Sequence, residues 1–197
     1  MVNIAVLGCG RIGAMHAANV AAHPRTNLEM VFDVNEMAVT NVSNAHQVQA
    51  ARSAQEVFAS DRVQAVLVAT ATPTHADYIE MAIAAGKPVL CEKPIDLNLE
   101  RVNRCAEVVS KSTVPIQLGF NRRYDPGHAA AREACLAGKI GDLHQVIITA
   151  RDPALPPRAY LEEAGGLFRD MTIHDFDLAR FMLNEEPVEV FALANAL

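Results

Sequence analysis

The sequence predicts an α/β chain, with a doubly wound parallel sheet followed by an incomplete α+β portion. Three observations predict it. A short apolar run at the start passes through Gly8-Cys9-Gly10-Arg11-Ile12-Gly13 straight into an alanine-rich helical stretch. Apolar runs of strand length then alternate with helix-length segments as far as Leu118, the pattern of a parallel sheet wound through crossover helices. Past Leu118 the chain turns polar and turn-rich, which places a domain boundary between residues 1–118 and 119–197.

Bulk properties agree with a globular core. The 197 residues are 51% hydrophobic and carry a formal net charge of −6. Basic residues are scattered, so neither a nucleic-acid partner nor a basic membrane patch is expected. No apolar run has the length of a transmembrane helix, and residues 1–7 read as a strand and not a secretion signal. Cys9, Cys91, Cys105 and Cys135 lie far apart without metal-ligand spacing. The expectation is no metal site and a reducing, cytoplasmic compartment.

Residues 3–7 are apolar throughout, as in a strand covered on both faces. In the G-x-G-x-x-G loop that follows, Gly8 permits the tight turn, Gly10 lets a pyrophosphate approach the backbone, and Gly13 lets helix pack close to strand. The helix from Arg11 to about residue 22 offers free N–H groups and a positive dipole end to phosphates. Residues 28–32 form a second strand ending in Asp33, which lies 20 residues past Gly13. An acidic residue there accepts hydrogen bonds from the adenosine ribose hydroxyls and repels a 2′-phosphate. No arginine follows in Val34-Asn35-Glu36, so the expected cofactor is NAD over NADP. Capping of the helix that starts near Asn35 is the structural alternative for Asp33.

Residues 36–44 read as a helix and 46–50 as a short strand. Ser53-Ala54-Gln55-Glu56 is a capping box opening a brief helix. Residues 65–69 form a third buried strand that ends in Ala71-Thr72-Pro73-Thr74-His75, at the edge where open α/β sheets hold ligands. A helix over 76–85 stops at Gly86. A strand over 88–91 ends in Glu92-Lys93-Pro94, and a helix over 99–110 and a strand over 115–118 complete the alternation. Lys93 has the charge to stabilise an alkoxide or pass a proton, with an ordinary surface lysine as the alternative.

Beyond the boundary, 128–137 reads as a helix, 143–150 as a strand, and Asp152-Pro153 through Pro156-Pro157 as a proline-rich loop able to cover a cleft. Gly165-Gly166 then leads into a helix running to about residue 183. Asp170 and His174, four apart, share a face of that helix, with Asp177 one turn on. A carboxylate beside an imidazole fixes its tautomer and raises its basicity, which suits a general base. A salt-linked surface histidine is the alternative. Residues 188–193 read as a last strand, whose unpaired edge would invite association.

Together, the Gly8–Gly13 loop, Ala71-Thr72-Pro73-Thr74-His75, Glu92-Lys93-Pro94 and the stretch 165–177 resemble the glucose–fructose oxidoreductase/inositol dehydrogenase/MocA (Gfo/Idh/MocA) family over the whole chain. Phe120-Asn121-Arg122-Arg123-Tyr124-Asp125-Pro126 and residues 169–177 look most like its inositol 2-dehydrogenases. The resemblance implies a Rossmann domain over 1–118 and part of a substrate and oligomerisation domain over 119–197. It implies NAD-dependent oxidation of a cyclic polyol, myo-inositol to the 2-keto inosose, by a homo-oligomer. By resemblance Lys93, Asp170 and His174 are catalytic, and Lys93, Arg123, Asp152, Asp170 and His174 hold substrate. The cofactor contacts would be Gly8, Gly10, Arg11, Ile12, Gly13, Asp33, Val34, Ala71, Thr72, Pro73, His75, Glu92 and Lys93. Family members run well beyond the residues present here. A non-catalytic NAD(H)-binding relative, and a family dehydrogenase for another sugar, stay open beside the inositol reading.

Overall fold

A computed structural model of the protein describes residues 1–195 apart from Pro153 and Pro157. Six strands form one parallel sheet: β1 (Val2–Leu7), β2 (Thr26–Phe32), β3 (Gln49–Ala50), β4 (Ala65–Val68), β5 (Val89–Cys91) and β6 (Ile116–Leu118), in the order β3-β2-β1-β4-β5-β6. The crossovers carry α1 (Arg11–Ala22), α2 (Glu36–His46), α3 (Ala54–Ala59), α4 (His75–Ala84) and α5 (Leu99–Ser110). This is the doubly wound Rossmann fold expected from the alternation, and its strand order reverses between β1 and β4, where such sheets open a crevice at the strands' carboxyl ends.

The strands are apolar on both faces because both faces are covered. Ala5, Leu7, Met30, Phe32, Val66 and Val68 face one core, closed by Val57 and Phe58 of α3, Ala76, Ile79 and Ala82 of α4, and Cys105 of α5. Val6, Leu28, Val31 and Leu67 face the other, closed by Ala17 and Val20 of α1 and Val39 and Val42 of α2. Local signals set the helix ends. Ser53 Oγ accepts from the Glu56 N–H at 3.2 Å, while the Glu56 side chain reaches the Arg52 N–H at 2.8 Å, one residue earlier than in a regular capping box. Asn98 caps α5, and Arg101 ties α5 to Asp77 and Glu80 of α4 at 2.6 Å each.

The chain divides by contact density into Met1–Gly119 and the residues from Phe120 on. The second unit contains a short 3₁₀ turn (Asn121–Tyr124), α6 (Pro126–Leu136), α7 (Arg158–Glu163), a π turn (Phe168–Thr172) and α8 (Ile173–Leu183). Two expectations are corrected here. Residues 143–150 and 188–193 do not form strands. A strand needs a hydrogen-bonded neighbour, and the described residues of this unit supply none. Val190 and Phe191 are accordingly 76% and 84% exposed. The proline-rich loop keeps only part of its reading, because Pro153 and Pro157 lie outside the described residues.

Candidate functional site

The loop from β1 to α1 uses its three glycines differently. Gly8 has φ +95°, and a Cβ there would lie 2.3 Å from the Ala69 carbonyl oxygen. A Cβ on Gly13 would lie 1.9 Å from the Gly8 carbonyl oxygen, so α1 packs against the loop itself. Over Gly10 the space is open, with no atom within 4 Å of where a Cβ would point. Gly10 is the N-cap residue of α1 and caps it with no side chain, leaving first-turn N–H groups for an anionic ligand. A dinucleotide's pyrophosphate fits that geometry.

Asp33, at the end of β2, is locked above this loop. Its Oδ2 accepts from the Cys9 N–H at 2.5 Å and its Oδ1 from the Asn35 N–H at 2.8 Å. The cap of α2 is Asn35, which accepts from the Met37 and Ala38 N–H groups, so capping is not what Asp33 does. Beside it lies a cleft of about 550 Å³ bordered by Asp33, the exposed Val34, Arg52, Ser53 and Tyr78. Arg52 escaped the sequence reading. It follows the short β3, and only the sheet order returns it to Asp33. The Cys9 thiol, pushed up to about 12 by burial and then by the Asp33 charge, stays protonated and inert.

At the carboxyl ends of β4 and β5 stand the two other motifs. Thr72–Thr74 form a 3₁₀ turn, held by Thr74 Oγ1 on the Ala71 carbonyl at 2.8 Å. His75 corrects an expectation. It is 1% exposed, with Nδ1 2.7 Å from the Pro94 carbonyl oxygen and Nε2 3.0 Å from that of Thr70, so its ring braces backbone and does not reach out to a cofactor. Glu92 Oε1 lies 2.8 Å from Nε2 of His16, a residue of α1 that the sequence reading passed over. Burial acts to raise the Glu92 carboxyl, but the His16 hydrogen bond and charge, then the Lys93 N–H and charge, hold it below the ordinary value. Lys93 follows, half-buried, at a cis Lys93–Pro94 peptide.

In the second unit Asp170 lies inside the π turn and His174 in the first turn of α8. The expected uninterrupted α-helix through both is corrected, because the π turn inserts a wider loop of backbone ahead of α8; such turns recur at functional sites. Asp170 Oδ1 accepts from the Tyr160 hydroxyl at 2.8 Å, which brings α7 to the candidate base pair. The His174 ring meets Phe120 edge-on, with centroids 6.4 Å apart. Asp175 pairs with Arg122. Asp177, 4% exposed, takes Arg123 Nε at 2.8 Å and Nη2 at 2.6 Å, and Arg123 lies over the Phe181 ring. The observed bonds of Arg123 are thus structural. Asp152 is exposed in an irregular segment. Among the described residues no cluster of three or more His, Cys, Asp or Glu is placed to hold a metal, and no helix is long and apolar enough to cross a membrane.

Comparison with known proteins gives family, sequence and structural matches. Residues 2–120 match the family model described as "Oxidoreductase family, NAD-binding Rossmann fold", and residues 128–197 match the GFO/IDH/MocA C-terminal domain. The chain is 46% identical over 196 residues to an inositol 2-dehydrogenase of Rhizobium meliloti, covering 100% of this chain and 59% of that protein. It is 42% identical to a myo-inositol 2-dehydrogenase of Thermotoga maritima, covering 98% and 58%. A crystal structure of a myo-inositol dehydrogenase from Corynebacterium glutamicum superposes with a TM-score of 0.88 at 43% identity, over 92% of this chain and 55% of that one. A scyllo-inositol dehydrogenase from Lactobacillus casei, solved with NAD(H) and scyllo-inositol bound, superposes with a TM-score of 0.83 at 30% identity, over 94% and 57%. The chain therefore spans under three fifths of the length of these curated relatives.

Proposed function

The chain belongs to the Gfo/Idh/MocA oxidoreductase family, its first unit is an NAD-binding Rossmann fold, and from that premise we propose that it oxidises a cyclic polyol, myo-inositol first, to the 2-ketone. The observation that carries the proposal is the loop left open to a pyrophosphate at Gly10, in a chain that also holds the acid–base residues an alcohol oxidation needs, Lys93, Asp170 and His174.

The residues take these roles. Gly8, Gly10, Arg11, Ile12 and Gly13 hold the phosphates of NAD, Asp33 and Val34 its adenosine end, and Ala71, Thr72, Pro73, Glu92 and Lys93 its nicotinamide end. When bound, NAD supplies the two-electron acceptor for the hydride leaving the substrate carbon. His174 accepts the hydroxyl proton as that hydride departs, leaving a carbonyl. Asp170, held by the Tyr160 hydroxyl, orients the imidazole and stabilises it once charged. The Lys93 ammonium stabilises the developing alkoxide. Arg123 and Asp152 hold ring hydroxyls. The protein works in the cytoplasm as a homo-oligomer associated through its second unit.

A second reading is an NAD(H)-binding relative without turnover, for which the NAD-binding Rossmann fold of the first unit is sufficient by itself. One experiment separates the two. NADH formation is followed by near-ultraviolet absorbance with myo-inositol, scyllo-inositol and a panel of sugars, alongside calorimetric NAD binding. Turnover with an inositol is the expected result. Turnover with another sugar alone would change the substrate, and binding without turnover would favour the second reading. In the same assay His174→Ala should lower turnover by roughly 10²–10⁴ and leave NAD affinity intact.

A further inference from the structure

The turn that carries Lys93 is gripped on both flanks by histidines from two different helices. On one flank His16, in the second turn of α1, places Nε2 2.8 Å from Glu92 Oε1. On the other His75, the first residue of α4, places Nδ1 2.7 Å from the Pro94 carbonyl oxygen, with Nε2 3.0 Å from the Thr70 carbonyl oxygen. Lys93 is the single residue between the two gripped ones. Neither histidine has a part in the proposed chemistry.

Both grips are built. A Cβ on Gly119 would come 2.8 Å from Glu92 Oε2 and 3.0 Å from its carboxyl carbon, so the carboxylate fills volume that any other residue at 119 would take. With Glu92 ionised, its oxygen can only accept, which makes His16 Nε2 the donor. His75 is buried at 1% exposure and both its nitrogens face carbonyl oxygens, which also only accept. A neutral imidazole donates to one of them and an imidazolium to both. The shorter contact is the one to Pro94.

We propose that His16 and His75 are positioning residues that clamp the Glu92–Lys93–Pro94 turn and so fix where Lys93 holds its ammonium. The inference rests on the role proposed for Lys93 and adds two residues to it. Lysine has a long, flexible stem, so its placement depends on a rigid backbone at its root. Helix α1 both opens at the cofactor loop and grips Glu92, so cofactor loop and lysine share one frame. A displacement of about 1 Å at such a group costs up to roughly 10²-fold in rate.

The test uses His16→Ala and His75→Ala with conservative rescues. His16→Gln returns a donor at the reach of Nε2, and His75→Asn returns one at the place of Nδ1. Each variant is measured by thermal melting, by NADH fluorescence titration, by the Cε chemical shift of Lys93 in ¹³C-lysine-labelled protein (assigned through Lys93→Arg), and by kcat and KM with inositol. Expected are cooperative melting, NADH affinity within about twofold, a displaced Lys93 resonance, and kcat lowered by about tenfold or more with KM for NAD little changed. The Gln and Asn variants should restore both resonance and kcat. An unmoved Lys93 resonance in both alanine variants overturns the clamp, as does NADH affinity falling in step with kcat without rescue. If the parent oxidises no polyol while the resonance moves and is rescued, the clamp stands and the proposed activity fails. Should His75→Ala not fold, His75→Asn and the His16 pair decide.

Discussion

Within one six-residue loop the same amino acid answers to two different demands. Gly8 and Gly13 are required by the protein's own packing, since their missing Cβ positions are filled by backbone at 2.3 and 1.9 Å. Gly10 has φ −68° and ψ −169°, an ordinary extended conformation open to any residue, with free space above it. Gly8→Ala should therefore prevent cooperative folding. Gly10→Ala should shift stability by less than about 0.5 kcal/mol. It should still weaken NADH binding by roughly tenfold, the scale of one charged hydrogen bond lost. Thermal melts and fluorescence titrations of the two variants check both halves. The spacing of the glycines and the place of Asp33 were legible in the sequence, because a tight strand-to-helix turn and an acidic strand end each call for particular residue types at fixed spacing. His75 was legible in place and not in role, since a motif position does not say which way a ring turns. His16 left no signal at all, being one polar residue in an alanine-rich helix whose partner lies 76 positions away.

Secondary-structure elements show a similar boundary. Most strands and helices of the first unit follow from buried apolar runs with glycine and asparagine at their ends and are read within a residue or two, whereas the exposed β3, read over 46–50, is only Gln49–Ala50 because α2 runs on through His46. In the second unit the helix through 170–183 was read without its π turn, because an extra backbone loop changes no residue type. The strands at 143–150 and 188–193 carry strand-like composition, yet composition cannot supply a pairing neighbour. What holds α8 in place is a set of arginines: Arg122 and Arg123, from the polar stretch that marked the boundary, on Asp175 and Asp177, and Arg132 of α6, donating to the Phe181 carbonyl at 2.8 Å. Asp177→Asn keeps the shape but removes the charge that receives Arg123's fork. It should cost about 1–3 kcal/mol of the second unit's stability, read as a lower denaturant midpoint by circular dichroism. An unchanged midpoint would return Arg123 wholly to the substrate.

At the scale of the whole chain, response to acid follows from the carboxyls held below their ordinary values. Glu92 is the half-buried one; Asp125 and Glu186 are lowered by local bonds at full exposure and matter less. A carboxyl whose folded value is depressed stabilises the fold above its unfolded value, 4.5 for glutamate, and loses that contribution as pH falls through the folded value. Melting temperature should thus hold above that point and drop below it. Glu92→Gln should flatten part of the drop, and an identical acid profile in the variant would remove Glu92 from the account. The hydrogen bond from Tyr160 to Asp170 has a practical consequence as well. The chain contains three tyrosines and no tryptophan. Its intrinsic ultraviolet emission is therefore phenolic, and one of the three phenols rests on the carboxylate beside the candidate base. Occupancy and ionisation at that position can be followed by light, without a dye and without turnover.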